Sequence, residues 1–333
     1  MVIKMNQDFT VDMVYLWCDG KDPAFLKRKE EYDHSIQARD EDTRIVRFYD
    51  NEELRYSLRS LYKNAPWIRH IFIVTDRQIP SWLNTDNPQI TVVDHSEILP
   101  KELIPCFNSA VIDKFLGFIP HLSEHFIYGD DDYFFGRPVT KDFFFQDGKP
   151  IVRVRLVNKQ LPIMHNENEF ESVYKKTDNM WLLSLMNSWD LLYKKYHIFN
   201  QYEPHHNMDG YTVSAWKKTF DTYSENLEAN FERFRSKKDI QRVLFNLDMV
   251  YNHTGILKVI PKLHPWRKHL FWLKKLDVET VHGIETPKSL HNLEIIDPAL
   301  YCVNNSEDNS IENKKAARAF FERKFPSPSP YEK

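Results

Sequence analysis

The chain has 333 residues, 42% of them hydrophobic, which suffices for one large α/β core with a smaller addition and excludes global disorder. Its formal net charge of −3 argues against a general nucleic-acid binder, because counterion release from a phosphate backbone needs a concentrated basic surface. Three widely spaced cysteines, Cys18, Cys106 and Cys302, form no C-x-x-C pair, so neither a zinc site nor a disulfide framework is supported and a reducing compartment is expected.

The stretch 1–17 lacks the apolar segment of a secretory signal, and no run approaches the ~20 apolar residues of a spanning helix. A soluble or peripheral protein is expected. Residues 11–18, VDMVYLWC, are an apolar run of strand length. Pro23 opens a charged helix over 23–39. Leu54, Leu58, Leu61 and Tyr62 share one face of a second helix over 51–63, with Asn51 as its N-cap and Pro66 as its stop. Strands follow at 68–76 and 90–96. A helix over 108–119 ends at Pro120, and 124–136, EHFIYGDDDYFFG, starts as a strand that runs into acid.

This β-α-β-α order predicts an α/β fold with a Rossmann-like, mostly parallel sheet over 1–150. KPIVRVRLV (149–157) alternates like a half-exposed strand. From 168 to 255 the chain reads as helices at 179–196, 211–222 and 239–251. A helical insertion or cap over 151–260 is therefore expected, with 261–333 completing the core. The tail carries an amphipathic helix over 310–325 that the prolines of FPSPSP end.

The strongest chemical signal is Asp130-Asp131-Asp132, three carboxylates at the carboxyl end of an apolar strand, where open α/β sheets bind ligands. Such a cluster is costly unless neutralised. A divalent cation holding a diphosphate would neutralise it, although an acidic turn cap is the plainer reading. Strand alternation would aim Asp130 and Asp132 one way and Asp131 the other. Asp12 opens the first strand, and Asp19 and Gly20 follow it; they can approach a nucleotide pyrophosphate or form an ordinary Asp-Gly turn. Asn108 and Ser109 stand at a helix start that either caps itself or receives phosphate. His205 and His206 are candidate general bases, and Arg235 is a candidate phosphate clamp. The segment 264–275, HPWRKHLFWLKK, is either an amphipathic core helix or a peripheral membrane contact.

Four blocks together resemble the Stealth family, which includes bacterial capsule and exopolysaccharide phosphotransferases and the animal lysosomal-enzyme GlcNAc-1-phosphotransferase. They are DMVYLWCDGKDP (12–23), the long stretch from ELRYSLRSLYK through VVDHSEILP and FNSAVID to LSEHFIYGDDDYFFGRP (53–138), HHNMDGYTVSAWKKTF with FRSKKDI (205–240), and YCVNNSEDNS with the FFERKFPSP tail (301–328). The resemblance implies a bacterial, cytoplasm-facing transferase that moves a sugar-1-phosphate from a UDP-hexose or UDP-N-acetylhexosamine to a hydroxyl of a growing polysaccharide or lipid-linked oligosaccharide. The product would be a phosphodiester, UMP would leave, and Mg²⁺ or Mn²⁺ would be needed.

The family's acidic pair falls on Asp131 and Asp132, its histidine on His206 with His205 beside it, its arginine on Arg235, and its asparagine on Asn108. Asp12 and Asp19 fall on its first-block positions. Two departures stand out. Asp130 replaces the family's usual asparagine, and Val303-Asn304-Asn305 replaces Leu-Asn-Asp, so that Asp130 or Asp308 is expected to compensate for the lost carboxylate. The rival enzyme reading is a metal-dependent glycosyltransferase that releases UDP; a non-catalytic polysaccharide-binding protein is the third.

Overall fold

The computed structural model describes residues 9–32, 52–156, 167–200, 202–260, 278–282, 287–304 and 311–333. Strand β1 (Val11–Leu16) is followed by helices α1 (Pro23–Tyr32) and α2 (Glu53–Asn64), then strands β2 (Ile71–Thr75) and β3 (Ile90–Asp94). The third strand is shorter than its apolar run suggests. Asp94 accepts from the backbone of Ser96 while Glu97 accepts from the backbone of Asp94, a reciprocal cap that starts helix α3 (His95–Ile98). The expected cap of α2, Asn51, lies outside the described residues. The residue at the N-cap position is Glu52, in the left-handed region at φ 66° and without a capping side-chain bond.

The helix expected over 108–119 is two pieces, α4 (Ser109–Ile112) and a 3₁₀ continuation over Asp113–Phe118. Gly117 in the second piece lies under Trp216, whose Cδ1 would stand 2.5 Å from a β-carbon there. Strand β4 (His125–Asp130) then stops at a two-residue turn, Asp131-Asp132, and strand β5 (Tyr133–Phe135) leaves in another sheet. The single run expected at 124–136 is thus broken at its acids.

Strands β6 (Phe145–Gln146) and β7 (Lys149–Leu156) form a hairpin. Helices α5 (Glu167–Tyr174) and α6 (Met180–Tyr196) follow, then strands β8 (Tyr202–Pro204) and β9 (Asp209–Thr212), helices α7 (Val213–Thr222), α8 (Ser224–Glu228) and α9 (Val243–Tyr251), and strand β10 (Ile256–Val259). The chain ends with β11 (Val278–His282), α10 (Pro287–Ile296), β12 (Leu300–Asn304) and α11 (Ile311–Lys324).

The protein is α/β. Its largest sheet has the order β3-β2-β1-β4-β9, with the first four strands parallel and β9 antiparallel at the edge. β1 is central and buried on both faces, which explains its nearly continuous apolar sequence. One face packs Met13, Tyr15, Ile71 and Ile73 against Leu54, Leu58 and Leu61 of α2. The other packs Val14, Val74, Phe126 and Tyr128 against Val111, Leu116, Trp216 and Phe245. The described residues of 151–260 carry helices α5 to α9, and they supply β9 to this sheet and α6, α7 and α9 to its core.

The chain passes from β1 to β2 and β3 on one side, then returns to place β4 on the other side of β1. Strand order reverses there, and the crevice outside the carboxyl ends of β1 and β4 is where ligands bind open α/β sheets. The register pairs Leu16 with Asp130, so the loop 17–20 and the acidic turn face one crevice. Among the described residues no helix is long and apolar enough to cross a membrane.

Candidate active site

Three segments meet at the crevice. The first is the acidic turn. Tyr128 donates its hydroxyl to Asp130 Oδ1 at 2.9 Å, and Asp132 turns its carboxyl toward the buried Cys302, whose Sγ lies 3.5 Å from Oδ2. Burial first, then Asp130 and the buried Glu53 of α2, pushes the Asp132 carboxyl well above the usual carboxylate range. Burial and the same aspartates push the Cys302 thiol up as well. Since Asp131 and Asp132 form a turn, the alternation of an extended strand does not separate them; Asp130 and Asp132 still act on one another.

The second segment is the histidine loop. β9 runs antiparallel to β4 with Asp209 opposite Tyr128, which brings residues 205–208 beside the acidic turn. The contacts agree: a β-carbon on Gly129 would meet Met208 Cγ at 2.8 Å, and the His206 ring stands edge-on to Tyr133 with centroids 5.8 Å apart. His206 is half-buried and left-handed at φ 53°, a backbone state that non-glycine residues hold only when their surroundings impose it. His205 is buried and bound through Nε2 to Asp209 Oδ1 at 3.0 Å.

The third segment is the loop after β1. Gln78 accepts from the Asp19 backbone N–H at 3.0 Å and donates to the Asp19 carbonyl and to Asp22 Oδ2, both at 2.9 Å. This single side chain fixes Asp19 and the buried Gly20 at the crevice rim.

The remaining sequence candidates are placed elsewhere. Asp12 sits at the amino end of β1, the opposite end of the sheet. Arg69 grips it with Nε at 2.8 Å and Nη2 at 2.5 Å, and the Ser123 backbone N–H adds a third bond at 2.7 Å. It is a buried structural carboxylate, not a donor contact. Asn108 is fully buried and wholly engaged: Oδ1 accepts from the Ala110 backbone, and Nδ2 donates to Asp239 at 2.8 Å and to the Phe234 carbonyl at 3.1 Å. It ties α4 to the 232–239 segment and leaves nothing for a ligand. Ser109 beside it accepts from Arg235 Nη2 at 2.7 Å, so those two candidates do meet. Arg235 is linked to the acidic turn through intermediates. It acts on Asp239, as does Lys114; Lys114 pairs with Asp113, and Asp113 feels Asp130. Asn305, Asp308 and the 264–275 segment lie outside the described residues.

The Asp132 carboxyl is held up by burial first and then by Asp130 and Glu53, a cost that a cation beside the acidic turn would relieve. Among the described residues no group of three or more His, Cys, Asp or Glu forms a ready-made shell.

Residues 47–152 match the model of Stealth protein CR2, conserved region 2, and this region contains Glu53, β2 to β4 and the acidic turn. The chain belongs to the Stealth family. It is similar to the capsular polysaccharide phosphotransferase fcs1 of Haemophilus influenzae, 37% identical over 250 residues that are 72% of this chain and 65% of that protein. It is also similar to the exopolysaccharide phosphotransferase SCO6023 of Streptomyces coelicolor, 51% identical over 142 residues, 42% of this chain and 24% of that one. The chain thus spans from about a quarter to two thirds of the length of these curated relatives. A solved galactosyltransferase LgtC with donor and acceptor sugar analogs aligns over 96% of each chain, but at a TM-score of 0.40 and 9% identity the likeness carries no argument.

Within this Stealth protein, sequence reasoning missed Glu53, Cys302, Arg242 and Asp209. Glu53 reads as an ordinary favourable acid in the first turn of a helix. Cys302 reaches Asp132 only because β12 pairs with β5, across 170 residues of chain. Arg242 is 7% exposed; its guanidinium carbon lies 4.4 Å from the Tyr128 ring centroid, and its Nε has no hydrogen-bond partner among the described residues. Its charge acts on Asp113 and Asp209. Asp209 carried a readable signal, since it stands four residues after His205 in HHNMD.

Proposed function

We propose that this Stealth protein transfers a sugar-1-phosphate from a UDP-sugar to a hydroxyl of a surface polysaccharide or its lipid-linked precursor. The observation that carries the reading is the meeting of the acidic turn with the histidine loop at the strand-order reversal, seen in the contact of His206 with Tyr133. The relatives' names, capsular and exopolysaccharide phosphotransferase, support the reaction class.

In this reaction the acceptor oxygen attacks the β-phosphorus of the donor, the bond from that phosphorus to the oxygen of the α-phosphate breaks, and UMP leaves. The bond between the sugar and its phosphate survives. His206 takes the acceptor proton. Asp130 and Asp132 would hold Mg²⁺ or Mn²⁺, which supplies charge neutralisation for the diphosphate. Arg235, fixed by Ser109, steadies the phosphate through its planar fork. The loop around Asp19 and Gly20, pinned by Gln78, borders the nucleotide half.

Incubation with a panel of UDP-hexoses and UDP-N-acetylhexosamines, an acceptor oligosaccharide and Mn²⁺ tests this. Phosphorus NMR should show a phosphodiester, and UMP should accumulate. Release of UDP with a new glycosidic bond would instead establish a glycosyltransferase.

A further inference from the structure

A row of buried side-chain hydrogen bonds runs from α9 to the histidine loop. Tyr211 donates to Asn246 Oδ1 at 2.6 Å, Asn246 Nδ2 donates to Asp209 Oδ2 at 2.9 Å, and Asp209 Oδ1 meets His205 Nε2 at 3.0 Å. All four residues are at most 2% exposed. Polar groups buried in this way contribute little net stability compared with apolar packing. What a continuous row of such bonds provides is a fixed orientation. Burial alone would raise the Asp209 carboxyl, but His205, Arg242 and Asn246 hold it below the usual range. An ionised carboxylate only accepts, so His205 Nε2 carries a proton toward it.

The His205–Asp209 bond joins the two ends of a five-residue loop. His206 lies inside that loop, in a left-handed conformation and against Tyr133. A strained residue stays in place only if its flanks are held, and the His205–Asp209 bond holds them.

We infer that Asp209, backed by Asn246 and Tyr211, is a positioning residue: it clamps the 205–209 loop through His205 and so presents His206 to the acidic turn. His205 is the strut of this arrangement, and not the base. The inference rests on the reading of His206 as the proton acceptor.

The test combines imidazole NMR of the full chain without substrate with steady-state kinetics. Wild-type His205 should be protonated at Nε2, and an NOE should connect the His206 and Tyr133 rings. Asp209→Asn should abolish that NOE and lower kcat by about 10- to 100-fold, the range typical of lost orienting partners, with donor KM within about twofold. Asn246→Leu should weaken the NOE and lower kcat less. A His205 protonated only at Nδ1, or an intact His206–Tyr133 NOE in a folded Asp209→Asn protein, overturns the proposal; so does wild-type kcat in that variant. Should Asp209→Asn not fold, the wild-type tautomer and the NOE in Asn246→Leu decide. If the wild type transfers no sugar phosphate, the proposed reaction fails by itself, and the substrate-free spectra still decide for or against the clamp.

Discussion

At Asp132 the proposed role and stability oppose each other at a single side chain. Its folded carboxyl is held well above 3.8 by burial, Asp130 and Glu53. A raised folded value means that the native state binds the proton more tightly than the unfolded chain. Stability is therefore lost as pH rises above the unfolded value toward the folded one. Asp132→Asn removes that cost, so at neutral pH and without metal it should raise the thermal unfolding midpoint. The same change should lower transfer activity by about a hundredfold or more, because a neutral amide would hold far more weakly the divalent cation proposed to neutralise the diphosphate. Divalent cation should raise the unfolding midpoint of the wild type and not that of the variant, since an ion that binds only the native state stabilises it. A calorimetric scan of both proteins with and without Mn²⁺ checks all three outcomes. His206 and Arg235 separate by kinetics. His206→Ala should lower kcat by roughly 10²–10⁴ with donor binding nearly unchanged. Arg235→Ala should weaken both binding and turnover, because the phosphate it is proposed to steady would be present before and during transfer.

Among the elements, the break between β4 and β5 matters most. It turns what reads as one apolar run into two strands of different sheets and leaves the acids in the corner between them. Gly129, just before the corner, lets β4 approach the histidine loop: a β-carbon would lie 2.8 Å from Met208 Cγ and 3.1 Å from Tyr133 Cδ2. Gly129→Ala should cost about 1–3 kcal/mol through overpacking, measured by urea unfolding. The strain falls on Met208, next to the clamp, so activity should fall by more than the folded fraction does. Helix α2 is the other decisive element. Its leucine stripe is legible at helical spacing, and so is its place against the sheet. The delivery of Glu53 to the acidic turn is not legible, because it depends on how α2 lies across β5.

The whole molecule is closed by its C-terminal residues. Glu332 is gripped by Arg59, at 2.7 Å through Nε and through Nη2, and by Arg55 at 2.6 Å, while Tyr331 is buried and the backbone of Asn84 donates to its carbonyl at 2.8 Å. Burial alone would raise the Glu332 carboxyl, but Arg59, the Ser329 backbone and Arg55 bring it down to about 2. A depressed folded value contributes stability that is complete above the unfolded value of 4.5 and is lost as pH falls from there toward 2. Glu332→Gln should cost about 3 kcal/mol at neutral pH, because two guanidinium groups lose their carboxylate. It should also flatten the acid limb of the stability curve, as denaturant titrations at several pH values would show.

By itself the sequence determined the α/β class, the parallel strands of the first half, most of the helices, and the acidic run as the place to look. These features follow from periodicity, breakers and composition within windows of about a dozen residues, where local preference and burial agree. Only the tertiary structure decided what each charge does. Asp12 and Asp130 are both candidate site residues along the chain. Arg69, 57 residues away, neutralises the first, while the second stands among Asp132, Tyr128 and the histidine loop. Strand order places the crevice between β1 and β4, and β9 brings His206 to it from a segment that reads as helical. A carboxylate's role depends on which distant cation or donor desolvation forces upon it, and the chain acquires that pairing only when it closes on itself.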